Sequence, residues 1–147
     1  MNRAGRAHVR FVPKPWGFEL IWAATDRYVG KVLYVKAGHA LSIQYHKRKD
    51  EVVHLVSGTM DYRVASTAKQ KTESGKRKTA SGRQKAVNAP RLRRVRFREG
   101  DSFHNTPGTI HQMIAVTDCV VPEASTPHLD DVVRLADRYG RTGTSKA

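Results

Sequence analysis

The sequence predicts a small all-β fold, an antiparallel barrel or jelly roll with one short helix at its C-terminal end. Three observations predict it. Short apolar stretches alternate with a period of two, Gly and polar turns break them at close intervals, and a helical pattern appears only after residue 126. At 147 residues the chain is long enough for one domain with its own core.

Taken in order, "MNRAGRAHVR" is basic and lacks the apolar centre of a signal peptide, so residues 1–12 read as a flexible tail ahead of a domain over 13–141. Trp16 and Trp22 read as core anchors. "KVLYVKAG" sets Lys31, Leu33 and Val35 on one face of a strand and Val32, Tyr34 and Lys36 on the other. In "GHALSIQYHKRKDEVVHLVSG", residues 38–58, Gln44 and His46 lie two apart and leave one face of an extended chain. Glu51 is in phase with Val53 and Leu55, and His54 points away.

Residues 69–98 hold 12 Lys and Arg against Glu73 alone, so most of the formal net charge of +14 sits in one segment. Its first part, about 68–91, has almost nothing to bury and reads as a basic low-complexity insert forming a mobile loop. "LRRVRF" resumes as a strand with one apolar face. "GDSFHNTPGTIHQMIAVTDCVVPEAS" supplies a turn and further strands, with Pro122 marking an edge or a bulge.

The predicted helix begins at Thr126, a plausible N-cap, with Pro127 at its first position and Asp130 and Asp131 at the positive end of its dipole. Leu129, Val132, Val133 and Ala136 would form its buried stripe, and Gly140 would stop it before a tail over 142–147. Cys119 is the single cysteine, which excludes an internal disulfide and a thiolate zinc cluster. No apolar run is long enough for a membrane helix, and a cytoplasmic location without membrane contact is the expectation.

His111 opens the apolar run "HQMIAV". Together with Gln44, His46 and Glu51 it makes a set of two imidazole nitrogens and two oxygens. That mixture suits a borderline divalent ion, zinc first, with Mn, Fe, Co or Ni as alternatives.

The spacing G-x5-Q-x-H-x4-E-x6-G, from Gly38 to Gly58, resembles the first cupin motif with Gln in place of the usual first His. "GDSFHNTPGTIH" resembles the second motif. Within the cupins the chain is similar to the C-terminal domain of type II mannose-6-phosphate isomerases, which share "PWG", "VKAGHALSIQYH" and "DDVVRLADRYGR". The resemblance covers residues 13–66 and 97–141. It implies a cupin jelly roll with Gln44, His46, Glu51 and His111 as metal ligands. It also implies Lys31 and Arg141 as cationic catalytic-site groups for an anionic sugar phosphate.

The function it implies is metal-dependent aldose–ketose isomerisation of a sugar phosphate. Two other readings stay open: a non-catalytic cupin that binds a sugar or sugar nucleotide, and a polyanion- or nucleic-acid-associated protein acting through residues 69–98. A homodimer is a further partner reading.

Overall fold

Period-two alternation becomes strand in nearly every stretch that shows it, as the computed structural model, which describes residues 4–65 and 91–142, makes plain. The strands are β1 (Arg10–Lys14), β2 (Gly17–Ala24), β3 (Val29–Val35), β4 (Ile43–Tyr45), β5 (Glu51–His54) and β6 (Met60–Ala65). They continue as β7 (Arg93–Phe97), β8 (Ser102–Asn105), β9 (Ile110–Ala115), β10 (Cys119–Ser125) and β11 (Val133–Ala136). The expected insert falls outside the described residues except for Arg91, as does most of the C-terminal tail. Part of the expected N-terminal tail is strand: Arg10, Phe11 and Val12 pair with Ile21, Leu20 and Glu19 of β2.

Two antiparallel sheets result, ordered β1-β2-β3-β10-β5-β8 and β11-β4-β9-β6-β7. Their inner faces meet over one apolar cluster, with Leu33, Val53 and Val121 from the first sheet and Met60, Tyr62 and Met113 from the second. Trp16 belongs to this core, 2% exposed, but Trp22 does not: it is 51% exposed. Its ring lies over Gly30, where an added Cβ would come within 2.5 Å of it. Of the two glycines bounding the first motif, Gly58 has φ +101° and faces the Asp118 carbonyl, which an added Cβ would meet at 2.2 Å. Only Gly fits there.

Pro122 does not mark an edge, because β10 is an interior strand. The pairing slips by one residue between the isolated Ser57–Val120 bridge and the Val53–Glu123 register. Pro122 sits within that slip, where a missing N–H costs no ladder bond.

The predicted C-terminal helix is absent. Among the described residues there is no helix, and Val133–Ala136 is a strand paired with β4: Val133 opposite Tyr45, Arg134 opposite Gln44, Ala136 opposite Ile43. The segment before it folds as turns, and the Asp131 carboxylate accepts backbone N–H bonds from Lys47, Arg48 and Lys49 instead of capping a helix. Tertiary pairing with the otherwise open side of β4 overrides the local signals. The adjacent β-branched pair Val132–Val133 suits that outcome.

Candidate metal centre and its cavity

Four strands carry the interior from apolar to polar at one end of the barrel. On β3, Leu33 and Val35 give way to Lys31; on β10, Cys119 and Val121 give way to Glu123. On β5, Val53 is preceded by Glu51, and on β9, Met113 is preceded by His111. Each polar residue keeps the inward phase, and all four are at least nine-tenths buried. Register sets them side by side: Lys31 is opposite Glu123, Glu51 opposite both Ser125 and Asn105, and His111 opposite Gln44.

His46, Glu51 and His111 converge, each offering an atom within 4.8 Å of the others. Glu51 Oε1 lies 3.3 Å from His46 Nε2 and 3.2 Å from His111 Nε2. Both imidazoles are 1% exposed. His46 Nδ1 is bonded to the Asp131 carbonyl, and His111 Nδ1 to the Thr109 carbonyl at 2.9 Å. A carbonyl only accepts, so each Nδ1 carries the proton, and in the neutral ring Nε2 presents a lone pair. Those two Nε2 atoms are buried without a hydrogen-bond partner.

Two imidazole lone pairs and a carboxylate oxygen aimed at one point repel one another. A cation among them removes the repulsion. The backbone partners on Nδ1 are what orients a metal-binding histidine. The residues present therefore fit a divalent ion.

Gln44 does not join this cluster as closely. It lines the adjoining cavity, and its side-chain oxygen accepts a 2.7 Å bond from the Ser42 hydroxyl. Lys31 and Arg141 line the same cavity. Lys31 is bound between Glu19 at 3.5 Å and Glu123 at 3.6 Å. Arg141 is held by Asp137 through two parallel bonds of 3.0 and 2.7 Å.

Sequence reasoning missed four buried or bridging groups. Lys49 places its ammonium against Glu51 Oε2 and 3.0 Å from Glu123 Oε1. Asn105 donates to Glu51 Oε1 at 3.0 Å while accepting from the Tyr62 hydroxyl at 2.8 Å. Glu123 joins Lys31 to Lys49. Asp131 grips the loop after β4.

Burial alone would raise the Glu51 carboxyl, but the Lys49 ammonium beside it holds it well below the usual carboxylate range. Burial likewise opposes the Lys49 charge, and Glu123 and Glu51 outweigh it and raise that ammonium's pKa. Burial also works against the Asp131 charge, yet the N–H groups of Arg48, Lys47 and Lys49 lower its pKa.

The cavity measures about 90 Å³. Arg10, Lys14, Lys31, Lys49, Arg134 and Arg141 line it against Glu19, Glu51 and Glu123, so its walls carry an excess of positive charge. It is an anion-attracting chamber beside a candidate metal centre.

The same architecture recurs in solved structures. The capsular polysaccharide assembling protein CapF from Staphylococcus aureus superimposes with TM-score 0.63 at 17% identity, over 88% of this chain and 35% of that one. KdgF from Halomonas sp. matches with TM-score 0.56 at 18% identity, over 82% of this chain and 87% of that one. Bacillus subtilis oxalate decarboxylase, a protein with Mn(II) centres, matches with TM-score 0.60 at 14% identity, over 83% and 29% respectively.

The chain has the cupin fold.

At these identities the likeness concerns the fold alone. In sequence, the chain is 30% identical over 139 residues to mannose-1-phosphate guanylyltransferase of Escherichia coli (strain K12), spanning 92% of this chain but 24% of that protein. It matches no protein-family model. Among the described residues no helix is long and apolar enough to cross a membrane.

Proposed function

We propose that this cupin is a metal-dependent aldose–ketose isomerase acting on a sugar phosphate, with zinc the first choice of ion ahead of Mn, Fe, Co or Ni. The observation that carries the reading is the join between a metal-fitting His46–Glu51–His111 cluster and a cationic cavity. Gln44 completes the ligand set from the cavity side. The sequence similarity to a mannose-1-phosphate enzyme supports a phosphorylated sugar as the ligand class.

Isomerisation removes a proton from the carbon beside the carbonyl and returns it to the former carbonyl carbon, while a hydroxyl proton moves between the two oxygens. No net oxidant is needed. A bound divalent ion supplies Lewis-acidic charge for the two adjacent oxygens. Glu123 opens onto the cavity between two ammonium groups and is the carboxylate that takes and returns the carbon-bound proton. Lys49, with two of its three donors engaged by Glu51 and Glu123, directs the third at a developing oxyanion. Arg141 and Lys14 face the phosphate, and Lys31 holds Glu123 in place. The buried, partly closed chamber keeps water from competing for the enediol proton.

The test is metal analysis of the purified protein, then an assay interconverting mannose 6-phosphate and fructose 6-phosphate. The expected result is about one equivalent of divalent metal, with turnover that His111→Ala abolishes together with metal binding. Metal-loaded protein that binds these sugar phosphates without converting them makes the chain a binding cupin.

A further inference from the structure

This inference rests on the metal reading above. We propose that Asp131 is the positioning residue of the site, a single clamp through which the C-terminal segment fixes both His46 and Lys49 against Glu51. Residues 46–50 join β4 to β5 without any strand pairing, so their conformation depends on partners elsewhere. One anchor is Thr126, whose N–H donates to the Asp50 carbonyl at 3.0 Å and whose hydroxyl accepts from Asp50 N–H at 3.1 Å. Another is Gly108 N–H, which donates to the His46 carbonyl at 2.7 Å.

The third anchor is Asp131, and it acts twice. Its carboxylate accepts three successive N–H groups, from Lys47 at 3.0 Å, Arg48 at 2.6 Å and Lys49 at 2.8 Å. Its backbone carbonyl accepts from His46 Nδ1. The carboxylate thus holds the loop that carries His46, and the carbonyl sets the tautomer of the ring that loop presents.

Two consequences follow from one residue. The imidazole is locked with its Nε2 lone pair toward Glu51, and the Lys49 backbone is placed so that its ammonium reaches Glu51 and Glu123. The same segment lines the cavity through Leu129, Val132 and Arg134. Displacement of the cavity wall therefore carries Asp131, and with it a metal ligand. His111 is independent of this clamp, because its Nδ1 partner is Thr109. That independence supplies an internal control.

Two variants test the proposal on the full chain. Asp131→Ala removes the carboxylate that holds the loop and so frees His46 to leave the backbone carbonyl, which the substitution keeps, and Asp131→Asn keeps one acceptor oxygen. Nitrogen-15 NMR of the imidazoles in metal-free protein reads the tautomer directly. The expected result is a wild-type His46 in the Nδ1–H form, a mixed tautomer in Asp131→Ala, partial recovery in Asp131→Asn, and an unchanged His111. Zinc affinity by chelator competition is expected to fall about 10–100-fold in Asp131→Ala.

An unchanged His46 tautomer in a folded variant overturns the proposal. So does a shift of His111 as large as that of His46, which would mean general loosening. If Asp131→Ala does not fold, Asp131→Asn decides by the same spectra. If the wild type binds no metal yet His46 alone shifts, Asp131 positions His46 and it is the metal reading that fails.

Discussion

The two ends of the barrel interior are built from the same strands in the same phase, and they do opposite things. At one end Val35, Leu55, Met60, Ala115 and Cys119 are all 1% exposed or less and make only apolar contacts or a thiol bond. At the other end, four residues away along each chain segment, the inward positions are Lys31, Glu51, His111 and Glu123. Phase alone decides that a side chain enters the barrel. What it does there depends on whether its neighbours across the sheets share its chemistry. The apolar end gains free energy by removing carbon from water, at about 25 cal/mol per Å². The polar end spends free energy on desolvating charges and recovers part of it through paired contacts.

One substitution at each end tests whether the two are separable. Glu123→Gln leaves Lys49 paired with Glu51 and Lys31 paired with Glu19, so it should cost about 3 kcal/mol, the low end for disrupting a buried ion pair. Leu55→Ala should cost about 2–5 kcal/mol as a cavity in the apolar end. Urea unfolding measures both. Metal affinity and sugar-phosphate turnover should survive Leu55→Ala, while turnover should be lost in Glu123→Gln. If Leu55→Ala damages turnover as badly, the ends are not separable and the site depends on the whole core.

This division also explains what could be read in advance. The convergence of His46 with Glu51 was legible because each stands beside apolar residues that need the inside, whereas Gln44, expected with them, lines the adjoining cavity and bonds to Ser42. His111 was legible as the first residue of an apolar run. Glu123 carries the same signal, in phase with Cys119 and Val121, beside a Pro122 that predicts an edge or a bulge; the bulge is what the structure has. Lys49 and Asp131 had no periodic signal, since both lie in non-strand segments and meet across 82 residues of chain. The helix expected after residue 126 failed for a related reason. Thr126, Pro127, Asp130 and Asp131 imitate a helix start, yet the Thr126 hydroxyl and the Asp131 carboxylate bond to the β4–β5 loop. No local pattern shows that β4 lacks a second neighbour until β11 pairs with it.

A gentler perturbation acts on the outer support of the cavity. Asp137 accepts from the Arg141 side chain, from Arg141 N–H at 2.8 Å and from Tyr139 N–H at 3.3 Å. The bond from the Arg141 side chain is the main cause of its lowered pKa, and burial opposes it. A folded-state pKa below the unfolded one contributes stability that is fully present above the unfolded value, about 3.9, and is lost as pH falls through the folded value. Stability measured by urea between pH 7 and pH 2.5 should therefore fall less steeply in Asp137→Asn than in the wild type. Parallel curves would mean that Asp137 titrates alike in both states. The Arg141 clamp would then contribute nothing through that charge.

The smallest expected effect lies outside both ends, on the outward face of the second sheet. Arg94 of β7 stands directly opposite Arg63 of β6. Asp61 serves both Arg96, at 2.6 Å, and Arg94, at 3.7 Å, while Arg63 turns to Gln112 at 3.2 Å. The Arg94 side chain is 67% exposed and that of Arg96 47%. Like charges facing across a strand pair repel by a few tenths of a kcal/mol, and closely spaced phosphates would relieve them. This face is the described part of residues 69–98, where the charge leads one to expect a polyanion contact; Phe97, at the end of that stretch, is its one aromatic ring, so a phosphate backbone rather than stacked bases is the expected ligand.

Fluorescence anisotropy with a short DNA duplex across a salt series measures it. Arg94→Gln should lower affinity modestly and reduce the salt slope by about 1, the share of one phosphate contact, with stability changed by less than about 0.5 kcal/mol. A second variant neutralising the seven Lys and Arg of residues 69–90 separates their share from that of β7. Identical slopes for the wild type and both variants would leave the arginines as a solvated face with no partner. A slope lost only in the second variant would assign the contact to residues 69–90 alone. The anion-attracting cavity at the polar end would then be the barrel's own place for negative charge.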